Sequence, residues 1–414
     1  MSDDRYKTEF SSIFDKDSDS GFIEVPEDWS NPSGKRLKIF YYGRLKVGDG
    51  RIAPVIFVNG GPGLASGVWA KKVLKGVPEN IPVLFFDQRG TGYSSPYPEV
   101  KNPKQYHVGQ FYGASSISED IEYLRKEVLG GAKVNVVGHS YGAKIAYSYL
   151  RKYSENLNSL HAISFALHED PQKLMEYRYR GLQIASESYF KRFPEDRDIV
   201  RNLRKLIGHD FCFGGGCGSY LLDKAIKNLV LFPESWSDLH GRLSKLMVKG
   251  KVDWAYLREF LAEQKVDFRH NSNEVSPSEF LDFFEITGGD RVELARKRLL
   301  ERGFKLPSET IDPYALESTD QRNIWPEESR LKEYLKTSDL ARTLKEVSGI
   351  PIYIYKGASD SIVPMKAFES MQGLLGSKTV SIEVASRSHF DIIEESKVWD
   401  AVVSVGRCIR SIRP

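Results

Sequence analysis

One pentapeptide carries more chemistry than any other stretch of this chain: Gly138-His139-Ser140-Tyr141-Gly142. Glycines two before and two after a serine suit a sharp strand-to-helix turn, where a Cβ would have no room. Such a turn lifts the serine hydroxyl above the sheet, and the helix N-terminus behind it favours negative charge. The strand expected over Lys133 to Val137 and the helix expected from Ala143 stand on the correct sides. This is the setting of a nucleophilic serine. Its hydroxyl is weak until a base takes the proton, and the base needs an acid to orient it.

Eight histidines are available as the base. His139 lies inside the motif, where its side chain points away from the serine. His107 and His161 precede or lie within sheet-forming segments. His168, His209, His240 and His270 fall in a helical insertion. Only His389 follows the last strand, in Val384-Ala385-Ser386-Arg387-Ser388-His389. Serine, acid, histidine is the chain order of the α/β-hydrolase fold, which selects His389. The acid should end the preceding strand, and Pro351-Ile352-Tyr353-Ile354-Tyr355-Lys356-Gly357-Ala358-Ser359-Asp360 supplies Asp360. Its carboxylate would fix the imidazole tautomer and stabilise the imidazolium. Asp391 is a rival, but it stands too close to His389 in the chain for that geometry.

Acyl transfer also needs backbone N–H groups aimed at the developing oxyanion. Asn59-Gly60-Gly61-Pro62-Gly63 follows the first clear core strand, and its glycines let the chain come close. Gly61 N–H and Tyr141 N–H are the expected donors. No Gly-Lys-Ser/Thr follows, so phosphate binding fails as a reading. Asp87-Gln88-Arg89-Gly90-Thr91-Gly92-Tyr93-Ser94 ends the next strand, and its Asp and Arg should brace loops beneath the site. Asp15 to Gly21 hints at a calcium loop. Ser20 at the sixth position and Pro26 at the twelfth, where glycine and glutamate belong, argue against it. No metal or cofactor is implied.

The elements that must hold these groups alternate. Ile52 to Val58, Ile81 to Phe86, Val134 to Val137 and Leu160 to Ala166 read as buried strands. Ser116 to Leu129 reads as an amphipathic helix, with Ser116 and Glu119 as a capping-box signature. Such alternation predicts βαβ units and a mostly parallel sheet. From about residue 167 to 339 the pattern turns helical, with clear helices over Ala255 to Gln264 and Arg291 to Leu300. Strand patterns resume at Ile350 to Tyr355 and Val380 to Val384. A helix from about Ser396 carries Val398, Val402, Val405, Ile409 and Ile412 as its apolar stripe. Residues 1–166 and 340–414 are thus expected to form one α/β core, and 167–339 a helical cap inserted over it.

Composition excludes several classes. The 414 residues carry a net charge of +3 from 59 basic and 56 acidic side chains, which gives no reason to expect nucleic acid or an anionic membrane as partner. No apolar run approaches the roughly 18 residues needed to span a bilayer. The opening Met1 to Lys7 is polar and lacks a secretory h-region, which suggests the cytoplasm, or the periplasm or exterior if a signal has been removed. Of three cysteines, Cys212 and Cys217 flank Phe213 and three glycines, and either a small disulfide loop or two free thiols fits. Cys408 reads as buried packing.

With these motifs in order, the chain resembles the prolyl aminopeptidase (proline iminopeptidase) family and its tripeptidyl-aminopeptidase relatives. Those carry His-Gly-Gly-Pro-Gly after a core strand, Asp-Gln-Arg-Gly-x-Gly-x-Ser after the next, then G-x-S-x-G. Here the counterparts are Gly60 to Gly63, Asp87 to Ser94 and Gly138 to Gly142. Ile23 to Pro32 is similar to the tripeptidyl branch, and the resemblance covers about residues 20–165 and 345–410. It implies a helical cap, no metal, and release of a residue or short peptide from a free N-terminus, with cap carboxylates on the substrate's α-amino group. Glu176 and Glu285 are the candidates for that role. Asn59 stands where the family has histidine, a change the backbone oxyanion role should survive. A carboxylesterase acting on small acyl substrates would use the same triad with an apolar pocket.

Overall fold

Short apolar runs make the strands, and helices cover both of their faces. The structure, a computed structural model, describes residues 19–47, 52–61, 64–96, 111–166, 171–213, 216–264, 349–376 and 379–408. Its strands begin with β1 (Asp19–Pro26), β2 (Arg36–Arg44), β3 (Val55–Val58), β4 (Val83–Phe86), β5 (Val134–His139) and β6 (Leu157–Ile163). Two short pairs follow, β7 (Cys212–Phe213) with β8 (Gly216–Cys217) and β9 (Met247–Val248) with β10 (Lys251–Val252). Then come β11 (Ile352–Gly357) and β12 (Thr379–Val384). The main sheet has eight strands in the order β1-β2-β4-β3-β5-β6-β11-β12. β1 pairs antiparallel with β2, and β2 with β4; every later pairing is parallel. This is the mostly parallel sheet expected from the alternation, in the α/β-hydrolase arrangement expected from the serine motif and the chain order of its partners.

Helices α1 (Gly67–Gly76), α2 (Ala114–Glu127) and α3 (Tyr141–Tyr153) follow β3, β4 and β5 in turn. Between β6 and β11 lie α4 (Pro171–Arg192), α5 (Pro194–Ile207), α6 (Tyr220–Val230), α7 (Trp236–Leu246) and α8 (Trp254–Glu263). The chain closes with α9 (Met365–Leu375) and α10 (Ser396–Cys408). Strand side chains alternate between the two faces. Ile56, Val58, Leu84 and Phe86 pack with Ile117 of α2, Ile145 of α3 and Phe368 of α9. Val55, Phe57, Val83 and Phe85 pack with Val73 of α1 and Val398 and Val402 of α10. A parallel sheet covered on both sides needs such unbroken apolar strands. They place the C-terminal ends of β5, β11 and β12 at one edge, where the outgoing loops gather.

The Asp87 to Ser94 loop is braced from beneath as expected. Asp87 accepts from Ser66 N and Oγ, both at 2.8 Å, and from Tyr93 N at 2.9 Å. A Cβ on Gly92 would sit 2.0 Å from Asp87 Oδ2. Arg89 and Asp120 form a fully buried pair, joined at 2.7 Å and 2.6 Å. The same guanidinium donates to the carbonyls of Pro26, Glu27 and Phe111, tying the first hairpin to α2. The capping box does not form. α2 starts at Ala114 with Gly113 as its N-cap and no side-chain cap bond. Glu119 instead accepts from Lys152 Nζ at 2.7 Å and from Tyr153, since α3 packs close enough to take its carboxylate.

The block from α4 to α8 has its own apolar cluster, with Leu203, Leu222, Leu243 and Phe260 among its buried members. α8 matches the helix expected over Ala255 to Gln264, whereas Arg291 to Leu300 lies outside the described residues. Among the described residues no helix is long and apolar enough to cross a membrane. Cys212 is disulfide-bonded, and the backbone of Cys217 lies opposite it in register.

The buried Arg89–Asp120 pair yields a stability prediction. Asp120→Ala strands the guanidinium without its counter-charge and should cost about 3–5 kcal/mol. Urea unfolding should show a lowered midpoint; a midpoint equal to the parent's would show that the pair contributes nothing.

Candidate active site

The turn that carries Ser140 is set by backbone contact. β5 ends at His139, Ser140 takes φ 52 and ψ −122, and α3 starts at Tyr141. Positive φ in a non-glycine residue is a strained state that a surrounding structure must impose. Here two close approaches impose it. A Cβ on Gly138 would meet Gly142 O at 2.4 Å, and one on Gly142 would meet Val58 O at 2.0 Å. Ser140 N donates to Ile163 O of β6 at 2.8 Å, and Ala143 N to Ser140 O at 2.9 Å. Tyr141 is the first residue of α3, so its N–H belongs to the group that a helix start leaves for partners outside the helix.

The loop after β3 presses on the same turn. A Cβ on Gly60 would lie 2.9 Å from Ser140 Cβ and 3.2 Å from His139 Nδ1. Asn59, where the resembling family has histidine, donates through Nδ2 to Gly60 O and Leu64 O, both at 2.9 Å. Gln88 Nε2 donates to Asn59 O at 2.9 Å. Gly61 has φ 139 and is exposed; Pro62 and Gly63 lie outside the described residues.

Asp360 and His389 come together from the loops after β11 and β12. His389 Nδ1 lies 3.0 Å from Asp360 Oδ2, and both side chains are almost wholly buried. Asp360 Oδ1 accepts from Ile362 N at 3.0 Å and Val363 N at 2.9 Å. Burial alone would raise the Asp360 pKa. The charge and hydrogen bond of His389, with help from Val363 N–H and Lys356, outweigh it and hold the carboxyl below its usual range. Asp391 plays a different part. Its Oδ1 accepts from Ser388 N and Oγ, holding the loop that presents His389. Among the described residues no hydrogen bond joins Ser140 Oγ to His389. Such bonds often tighten only when substrate is bound.

His139 does point away from Ser140, into the protein. Its Nδ1 lies 2.9 Å from Trp69 Nε1 and its Nε2 2.7 Å from the carbonyl of His389. Burial, aided by the charge of His389, lowers its pKa to about 3. His161, on β6, bonds Ser159 Oγ and Tyr355 OH, and burial likewise lowers it to about 3.

The helical block reaches this end of the sheet. Glu234 Oε1 accepts from Ser388 Oγ at 3.1 Å, and Phe232 and Phe390 have ring centroids 5.2 Å apart. A Cβ on Gly181 would meet Ser361 O at 2.4 Å, so α4 lies against the loop after Asp360. Glu176 is on α4 with its side chain outside the described ones, and Glu285 lies outside the described residues. Glu234 had no sequence signal beyond being an acid in Pro-Glu-Ser. Glu195, Asp196 and His240 place ligand-type atoms within 4.8 Å of one another. Asp196 there already bonds Tyr189 OH and faces His240 Nδ1 at 3.1 Å.

Over residues 53–201 the chain matches the alpha/beta hydrolase fold family. It is similar to the proline iminopeptidase of Aeromonas sobria, 26% identical over 200 residues that cover 44% of this chain and 46% of that protein. With the proline iminopeptidase of Saccharolobus solfataricus it shares 33% identity over 156 residues, 38% of this chain and 46% of that one. The chain thus spans about half the length of the curated relatives it matches. The crystal structure of a proline iminopeptidase from Mycobacterium smegmatis aligns with 94% of this chain and 98% of its own, at 13% identity and TM-score 0.46. The sequence matches bear out the resemblance read from the three ordered motifs.

The two buried histidines predict an acid-side loss of stability. Both fold with a pKa near 3 against an ordinary 6.5, so the unfolded chain binds protons first as pH falls. Their contribution is whole above pH 6.5 and drains away toward pH 3, by up to about 1.4 kcal/mol per histidine per pH unit. Urea unfolding between about pH 6.5 and 5, before most carboxylates titrate, should show this slope. His161→Gln should make it shallower by about one proton. Identical slopes would contradict the assignment.

Proposed function

We propose that this chain, built on the α/β-hydrolase fold, is a serine aminopeptidase that cleaves residues or short peptides from a free N-terminus. The observation that carries the serine-hydrolase part of the reading is the 3.0 Å Asp360–His389 contact, tied through the His389 carbonyl to His139, the chain neighbour of a serine held at φ 52 on a strand-to-helix turn. Ser140 Oγ attacks the scissile carbonyl while His389 Nε2 takes its proton. Asp360 holds the imidazole and stabilises the imidazolium. The N–H groups of Gly61 and Tyr141 receive the oxyanion. His389 then protonates the leaving amine, and an acyl-enzyme on Ser140 remains. Water, activated by His389, attacks it and restores the serine.

The α-amino group calls for a carboxylate in the cap, taken as residues 167–339. Glu234, bonded to Ser388 beside the base, joins Glu176 and Glu285 as a candidate. The similarity to proline iminopeptidases supports the peptidase reading over a carboxylesterase.

Two measurements test this reading. Ser140→Ala should fold and lose roughly 10⁴-fold or more in kcat; normal turnover would overturn the nucleophile. For one chromogenic aminoacyl substrate, acetylating the amine leaves a desolvated carboxylate unpaired. That should cost about 2–5 kcal/mol in kcat/KM, roughly thirtyfold at the low end. Equal rates, or faster turnover of butyrate esters, would mark a carboxylesterase.

A further inference from the structure

We propose that His139 is a positioning residue for the base: held by Trp69 as the Nε2–H form, its imidazole fixes the backbone of His389 against the nucleophile turn. The inference rests on the reading of Ser140, Asp360 and His389 as the reacting groups. It adds a fourth side chain that touches no substrate.

The proton's place on this ring follows from its two neighbours. An indole N–H can only donate, so Nδ1 of His139, 2.9 Å from Trp69 Nε1, must accept. A neutral imidazole with its lone pair on Nδ1 carries hydrogen on Nε2. That nitrogen lies 2.7 Å from the carbonyl oxygen of His389, which can only accept. The other tautomer would set N–H against N–H at one end and lone pair against lone pair at the other. A protonated ring would still oppose Trp69, and burial disfavours the charge.

Packing confines the ring, and the bonds to Trp69 and to the His389 carbonyl choose between its two flips. His139 is fully buried and Trp69 nearly so. Phe390 closes one side, its ring centroid 5.6 Å from His139 and 6.0 Å from Trp69. Gly60 passes so close that a Cβ there would come within 3.2 Å of Nδ1.

The consequence is a division of labour on His389. Asp360 sets the rotation of its ring through Nδ1. His139 sets where its backbone lies, and His139 is the chain neighbour of Ser140. One hydrogen bond between residues 250 apart in sequence therefore ties the nucleophile turn to the base loop. The reach of a base to its nucleophile is sensitive to displacements of about 1 Å, which can cost on the order of a hundredfold in rate.

The test compares His139→Leu, His139→Gln and Trp69→Phe with the parent and with Ser140→Ala on one chromogenic aminoacyl substrate, with melting curves on each. Leucine fills the space without a donor; glutamine places an N–H near the position of Nε2. His139→Leu should lower kcat about ten- to a hundredfold with KM little changed, and glutamine should restore most of it. In histidine-selective ¹⁵N spectra, the His139 ring should hold the Nε2–H form without titrating between about pH 5 and 9. That signal should vanish in His139→Gln and change tautomer or begin to titrate in Trp69→Phe.

Parental kcat in a folded His139→Leu alongside inactive Ser140→Ala would overturn the proposal, as would equal losses for leucine and glutamine. If His139→Leu fails to fold, the glutamine variant and the spectra decide: the ring whose signal His139→Gln removes must be the Nε2–H form and must not titrate, and a Nδ1–H tautomer or a titration for that ring rejects the proposal. An active Ser140→Ala would instead fault the underlying reading, while the spectra would still report on His139.

Discussion

A lack of room governs this site. Between β3, the end of β5 and the first turn of α3 there is no space for a Cβ at Gly138 or Gly142: the distances would be 2.4 Å and 2.0 Å to backbone oxygens. Two glycines therefore bring three backbone segments into contact, and the residue between them is forced to positive φ. A strained residue of this kind costs on the order of 1–3 kcal/mol. Two faces of apolar burial across an eight-stranded sheet hold it in place. The strain is useful because it presents one hydroxyl at the rim of the sheet.

Everything else at that rim is arranged around the turn. The loop after β3 is pinned by Asn59 and Gln88, the loop after β4 by Asp87 and Arg89, and the loop after β12 by Asp391 and His139. Each brace is a polar group with its partners supplied, which is the condition for keeping polar atoms out of water. The helical block adds contacts from above through Glu234, Phe232 and Gly181.

What the sequence could show depended on how local each signal is. The Ser140 turn was legible because its glycines, strand and helix lie within twenty or so residues, and Asp360 and His389 because each follows a strand with its own pattern, an apolar run in β11 and an alternation in β12. The antiparallel β1–β2 hairpin has a weaker signature: in β2 the alternation runs only from Arg36 to Ile39 before Phe40 and Tyr42 are buried as well. The Ser116–Glu119 capping box had the right spacing, but tertiary packing against α3 claimed the glutamate. Arg89 with Asp120, and His139 with His389, pair across long separations that leave no pattern in either neighbourhood. Glu234 became visible only when the fold carried it to Ser388.

A nucleophilic Ser140 can be trapped covalently. The protein should be treated with a fluorophosphonate, which phosphonylates activated serine hydroxyls, and followed by intact mass and peptide mapping while activity is read in parallel. One adduct per chain is expected, on Ser140, with activity lost in proportion to labelling. Activity that survives complete labelling, or an adduct on a different residue that abolishes it, would contradict the assignment of Ser140 as the nucleophile.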